Sequence, residues 1–229
     1  MLFRGALGGG AASGKLGALV ASHNSGGQYL RSRVTPVNTN TPQQQEVRNG
    51  VRTLSPQYAT SLTATQRSSW EVYGENVSLR NRLGDSIKAS GISHFVRSNT
   101  SRIQAGLAII PTAPTVFDLG DSGTPGTMTL AAAGTAGTLT FSPTDAWVAG
   151  GTVNHLLLYV SRPQNIGKSF FAGPYRLAAT IPGGNTTGSV TFTSPFATGA
   201  TGTQRIFAQY RITYSDGRLS SPLQIFATP

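Results

Sequence analysis

The residues Gly9-Gly10-Ala11-Ala12-Ser13-Gly14-Lys15-Leu16 come within one position of G-x-x-x-x-G-K-[ST]. In that loop, backbone N–H groups cradle phosphates and the final hydroxyl holds magnesium. Leu16 stands where the hydroxyl belongs. No apolar strand precedes the glycines, and a strand rather than a helix is expected to follow. Nucleotide hydrolysis is therefore not expected. His23, His94 and His155 are isolated, with no H-x-x-x-H pair and no His/Asp cluster at metal-ligand spacing. Each reads as a hydrogen-bonding surface or turn residue.

A second segment, Gly120-Asp121-Ser122-Gly123-Thr124-Pro125, resembles the G-D-S-G-G-P nucleophile segment of trypsin-like proteases. A nucleophilic serine needs a histidine base oriented by a buried aspartate. His23 and His94 lack the Ala-Ala-His-Cys setting of that family, and the chain has no cysteine. A turn is the better reading, because Asp and Ser initiate turns and Gly and Pro complete them. Trp70 and Trp147 read as core anchors rather than sugar platforms. No pair of carboxylates invites glycoside hydrolysis. The sequence implies no enzyme, cofactor, metal or small-molecule substrate.

Composition limits the remaining classes. The 229 residues carry 18 Lys+Arg against 8 Asp+Glu, a formal net charge of +10, with 28 Gly and 13 Pro. Zero cysteines exclude a disulfide scaffold, cysteine-ligated zinc and thiol chemistry. No apolar run approaches the roughly 18 residues of a membrane-spanning helix. Met1-Leu2-Phe3-Arg4 mimics the start of a signal peptide, but Gly-rich sequence and Lys15 interrupt any apolar stretch, so the segment is expected to be retained. Charge is uneven. Residues 1–110 hold 12 Lys+Arg and 4 Asp+Glu, net +8, whereas residues 111–229 hold 6 and 4, net +2. Most of these cations are Arg, which favours bidentate contacts and stacking.

Three regions must position these residues. Residues 1–15 read as a flexible Gly-rich arm. Residues 16–110 read as an α+β domain, a β-hairpin followed by about three helices. The hairpin strands are Leu16–Ser22 and Gln28–Val34, and one face of the second carries Tyr29, Arg31 and Arg33. Thr41-Pro42 opens the first helix, with Val47, Val51, Leu54 and Tyr58 on one face and Pro56 expected to end or kink it. Thr63-x-x-Gln66 is a capping box for the second helix. The third runs from Ser90 to Gln104, with Ile92, Phe95, Val96, Asn99 and Ile103 as its buried stripe and Gly106 as its stop. At Pro111 composition changes: residues 111–229 hold 20 Thr and no convincing helical pattern. Strands are expected at Thr115–Leu119, Thr127–Leu130, Thr138–Ser142, His155–Ser161, Tyr175–Ile181, Ser189–Thr193, Arg205–Tyr214 and Leu219–Ala227. Seven or eight short strands fit an all-β sandwich, and the last two resemble the final hairpin of a fibronectin type III or immunoglobulin-like domain.

The N-terminal half also resembles a family of uncharacterised proteins encoded by bacteriophages, prophages and environmental viral genomes. The resemblance covers about residues 13–107. It rests on Ser13–Asn24, Gly26–Arg31, Pro36 with Asn38–Thr41, Gln44–Arg48, Leu62-Thr63-x-x-Gln66-Arg67-x-x-Trp70, Asn81–Asp85 and Phe95–Asn99. It implies a virion structural protein, capsid- or tail-associated, self-assembling or decorating. Its partners would be further copies of itself and other virion proteins, with Arg4, Lys15, Tyr29, Arg31 and Arg33 at subunit contacts. Two alternatives stay open. The basic N-terminal half could bind nucleic acid through Arg48, Arg52, Arg67, Arg80 and Arg82. The sandwich could carry a receptor- or glycan-binding site near Trp147, Tyr175 or Tyr210.

Overall fold

A computed structural model describes residues 14–24, 27–35, 40–81 and 84–229. Strands β1 (Gly14–Leu16), β2 (Leu19–Asn24) and β3 (Gly27–Ser32) form an antiparallel meander. The expected first hairpin strand is thus broken in two. Gly17 adopts φ +58° between β1 and β2, a left-handed turn that glycine takes without strain. Lys15, expected in the arm, lies in β1, and the rest of the arm (1–13) lies outside the described residues.

Helices α1 (Pro42–Thr60), α2 (Ala64–Asn76) and α3 (Gly91–Gln104) follow. Between α2 and α3 the short strands β4 (Ser78–Arg80) and β5 (Ser86–Lys88) pair, a hairpin not expected from the sequence. Pro56 lies inside α1, which continues through it to Thr60. The apolar face of α1 divides: Leu54 and Tyr58 are buried, whereas Val47 and Val51 are 43% exposed. The capping box of α2 forms as expected, with Gln66 N donating to Thr63 Oγ1 and Thr63 N donating to Gln66 Oε1. Helices α2 and α3 approach closely. A Cβ on Gly74 would lie 2.6 Å from the Ala89 carbonyl oxygen, and one on Gly91 would lie 2.7 Å from the Glu71 backbone nitrogen. Gly106 closes α3 by donating to the Ile103 carbonyl.

The helical core gathers Leu54, Tyr58, Leu62, Trp70, Tyr73, Val77 and Phe95. Trp70 packs edge-on against Tyr73 and Phe95. Ile103, expected in the buried stripe of α3, is 40% exposed. The last turn of α3 instead turns Arg102 inward, for reasons given below.

The C-terminal half is built of antiparallel sheets. Strands β6 (Met128–Leu130), β7 (Ala136–Thr140), β8 (His155–Ser161), β9 (Gln164–Asn165), β10 (Tyr175–Pro182), β11 (Ser189–Thr193), β12 (Gln204–Thr213) and β13 (Leu223–Ala227) appear in chain order. One sheet has the order β10-β8-β12-β13, with β9 also on β12, and the other has the order β11-β7-β6. Both contribute to one apolar core, including Leu139, Leu158, Val160, Ile206 and Ile212. A short helix α4 (Ala146–Ala149), also unexpected, delivers Trp147 into this core 5.0 Å from the Phe141 ring.

Thr115–Leu119 is not a strand. Its neighbourhood is tied to the helices: Trp70 Nε1 donates to Pro111 O, Tyr73 OH donates to Asp118 O, and Ala113 N donates to Ser69 Oγ. The final strand begins at Leu223 rather than Leu219, since Pro222 has no N–H for a ladder. Leu219 makes only an isolated bridge to Thr213.

Contacts divide the chain into two compact units. One comprises Met1–Pro42 and Arg80–Ile87, the other Gln43–Leu79 and Lys88–Pro229. The helices and the β-rich half fall in the same unit. Pro111, where composition changes, lies within it.

Candidate functional site

The register of the meander aligns Lys15 with Val20 and Val20 with Arg31, and it aligns Ser22 with Tyr29. Strand side chains alternate, so Lys15, Tyr29 and Arg31 share one face. Lys15 and Arg31 are exposed there, and Tyr29 is half-buried. Arg33 is exposed just past β3, and its backbone N–H donates to Ala18 O. Arg4 lies outside the described residues. The opposite face aligns Ala21 with Leu30.

The candidate phosphate contacts are dispersed. Arg48 and Arg52 are exposed on α1, Arg80 is exposed in β4, and Arg82 lies outside the described residues. Arg67 is committed elsewhere: its Nη1 donates to Ala59 O and Leu62 O, at the C-terminal end of α1. That end of a helix has carbonyls without internal partners and carries partial negative charge, so a guanidinium there stabilises it.

The segment that mimics a protease nucleophile is a pinned loop. Ser122 Oγ donates to Ser221 O, Gly120 N to Asp118 Oδ1 and Gly123 N to Asp121 Oδ1. Tyr214 OH donates to Asp121 O, and Tyr210 OH to Thr124 O. Asp145 accepts from both the backbone N–H and the hydroxyl of Thr124. The Ser122 hydroxyl thus serves a structural carbonyl, and the Gly120, Gly123 and Thr124 amides are held by aspartate side chains. Trp147 and Tyr210 are buried, so they cannot serve as the exposed glycan contacts expected of them.

Three arginines missed at the sequence level line the seam between α3 and β12. Arg102 is 8% exposed and donates through Nε to Ala108 O and through Nη1 to Tyr214 O. Arg97 Nη2 donates to Ser220 O. Burial draws the Arg97 guanidinium down to about 10, and Arg211 beside it pushes the same way. On β8, the neighbour of β12, Tyr159 donates to Gln104 Oε1, and burial raises its phenol to about 12. Arg97 and Arg102 thus serve carbonyls of the segments that follow α3 and β12. Arg102 and Arg97 sit at i and i−5 of one amphipathic helix, a spacing that gave no cue to their inward direction.

His94 corrects the reading of the histidines as surface groups. It is 0% exposed, lies 5.1 Å from the Tyr73 ring in an edge-on contact, and neither ring nitrogen has a hydrogen-bond partner among the described residues. Burial lowers its pKa from 6.5, with Arg97 adding to the effect. A neutral His94 in the folded state and a protonating one in the unfolded state make stability fall as pH drops below about 6.5. His155 is shifted down for the same main reason and adds to that slope. His94→Phe should flatten the loss of stability between about pH 6.5 and 5 in urea titrations. An unchanged slope would show that His94 does not couple folding to protons.

Among the described residues no cluster of three His, Asp or Glu side chains could hold a metal ion, and no helix is long and apolar enough to cross a membrane. No protein-family model matches the chain, and no curated protein matches it.

Proposed function

We propose that this chain is a bacteriophage virion structural protein, capsid- or tail-associated, that assembles with its own copies through the β1–β3 meander. The observation that carries the proposal is how little apolar surface the meander buries among its described residues. Within its unit Ala21 is the buried hydrophobic residue among the described ones, while Leu19 stays 40% exposed. Small sheets need an apolar face covered to be stable. The outer strands β1 and β3 offer backbone edges of the kind that accept a neighbour's strand. The cationic face of Lys15 and Arg31 would set which surface is accepted. We read the two C-terminal sheets as an immunoglobulin-like sandwich, a layer architecture that fits their shared core. The likeness of residues 13–107 to phage-encoded proteins supports the viral setting.

Cross-linking a mixture of light and heavy isotope-labelled protein tests this reading. The chain has three lysines, Lys15, Lys88 and Lys168, so an amine-reactive linker gives a sparse map. Light–heavy links through Lys15 are expected, and the chain should be recovered from purified particles. Links between copies that avoid Lys15 would count against the meander, and absence from particles against the virion.

A further inference from the structure

The modest +2 of residues 111–229 conceals a separation of charge along the large sheet. Residues Asp118, Asp121, Asp145 and Asp216 are all the acidic side chains of this half. They gather with the Arg218 guanidinium, which pairs with Asp118 at 2.6 Å and Asp216 at 2.7 Å, and with the loop that Tyr210 and Tyr214 pin. Asp216 follows the end of β12. The opposite end holds Arg162, Lys168, Arg176 and Arg205. The register fixes this placement: Arg205 pairs with Gln164, Arg176 with Val160, and Ile206 with Ala227, so the start of β12, the end of β8, the start of β10 and the end of β13 coincide.

Ring faces hold these four cations. Arg205 lies 4.6 Å from the centroid of Phe226, and Lys168 lies 4.9 Å from that of Phe171. Arg162 and Arg176 both sit over Phe196, at 5.6 and 5.1 Å. The parts are connected. Arg205 Nη1 donates to Lys168 O, Lys168 Nζ to Gln164 Oε1, and Gln164 Nε2 to Arg162 O. Phe171 stacks on Phe207, which packs on Phe226. Phe226 is 56% exposed and Phe170, two residues beyond Lys168, is 65% exposed. Open ring faces beside cations that no described carboxylate side chain pairs with suit a ligand that carries both negative charge and flat apolar surfaces.

We infer that this end of the large sheet binds single-stranded nucleic acid. The four cations suit successive phosphates, and the open Phe170 and Phe226 rings suit bases, which stack without sequence preference. Aromatic rings with no polar tip favour a base over a sugar, whose hydroxyls need hydrogen-bonding partners. Guanidiniums placed over ring faces keep N–H groups for phosphate oxygens, Arg205 through Nη2 since its Nη1 serves Lys168 O. This site is distinct from the N-terminal arginines and does not depend on assembly through the meander.

Fluorescence anisotropy of the full chain with a labelled 20-mer of deoxythymidine tests the inference. Four phosphate contacts predict an affinity about 50-fold weaker at 200 mM salt than at 50 mM. Lys168→Ala/Arg205→Ala should weaken binding at least tenfold and flatten the salt dependence. Phe170→Ser/Phe226→Ser, at exposed positions, should weaken it while leaving the salt dependence intact. Arg52→Ala on α1 should change nothing. No binding at 50 mM salt would overturn the inference. So would equal competition by polyglutamate or by an anionic polysaccharide at matched charge, since that marks a general polyanion surface. A loss on Arg52→Ala as large as on the Lys168/Arg205 pair would overturn it too.

Discussion

Replacing Trp70 with alanine is expected to remove about 4 kcal/mol of folding stability. Trp70 is wholly buried and forms the centre of the helical core, edge-on to both Tyr73 and Phe95. Its indole N–H donates 2.9 Å to the Pro111 carbonyl, so the same side chain joins α2 to the segment leading into the β-rich half. Alanine would leave a cavity among close-packed rings. Gly74 and Gly91 already hold α2 and α3 so close that little collapse can fill it. Trp70→Phe separates the two contributions, since it keeps most of the packing and loses the hydrogen bond. It should cost about 1 kcal/mol, the net worth of the lost hydrogen bond, because Pro111 is exposed and its carbonyl can turn to water. Urea denaturation of both variants checks the pair. A loss below about 1 kcal/mol for the alanine variant would mean that the helical core does not rest on this side chain.

Reversing the charge of the meander should have the largest effect on assembly. Lys15 and Arg31 stand side by side with Val20 between them on one exposed face. Lys15→Glu/Arg31→Glu takes that pair from two positive charges to two negative ones. Both side chains are exposed, so the fold should persist within about 0.5 kcal/mol. An interface selected by these cations loses its attraction and gains repulsion. Close interfacial charge pairs carry roughly 1.5 kcal/mol or more, so the dissociation constant should rise by at least about tenfold. The rise should shrink at high salt, where exposed charges are screened. Assembly that ignores the reversal would place the contact on another surface.

The sequence disclosed local order better than it disclosed partners. His155–Ser161 and Ser189–Thr193 emerged with the expected bounds because an apolar run in the first, alternation in the second and turn residues nearby marked them. The Thr63–Gln66 capping box was legible for a similar reason, since both halves of the device lie within four residues. Thr115–Leu119 misled, because an apolar run with β-branched residues looks like a strand wherever its hydrogen bonds go. Here the Asp118 carbonyl accepts from Tyr73, and Pro111 and Ala113 just before the segment bond Trp70 and Ser69, all partners more than 40 positions away. Pro56 misled in the other direction, for the packing of Leu54 and Tyr58 carries α1 across it. The candidate site followed the same division. The shared face of Lys15, Tyr29 and Arg31 needed the register through β2, although Tyr29 and Arg31 were readable from β3 alone. The inward turn of Arg97 and Arg102 and the cation–ring contacts of Lys168 and Arg205 were not readable. They depend on which strands and helices meet, and no local spacing encodes that.

Sedimentation velocity of the full chain across micromolar concentrations, run beside Lys15→Glu/Arg31→Glu, tests most directly whether the meander is an assembly surface. The account predicts that the wild type sediments as a species larger than its 23.9 kDa monomer, and that the variant shifts to monomer with its fold intact. A wild type that stays monomeric at every concentration, or a variant that assembles as the wild type does, would contradict it.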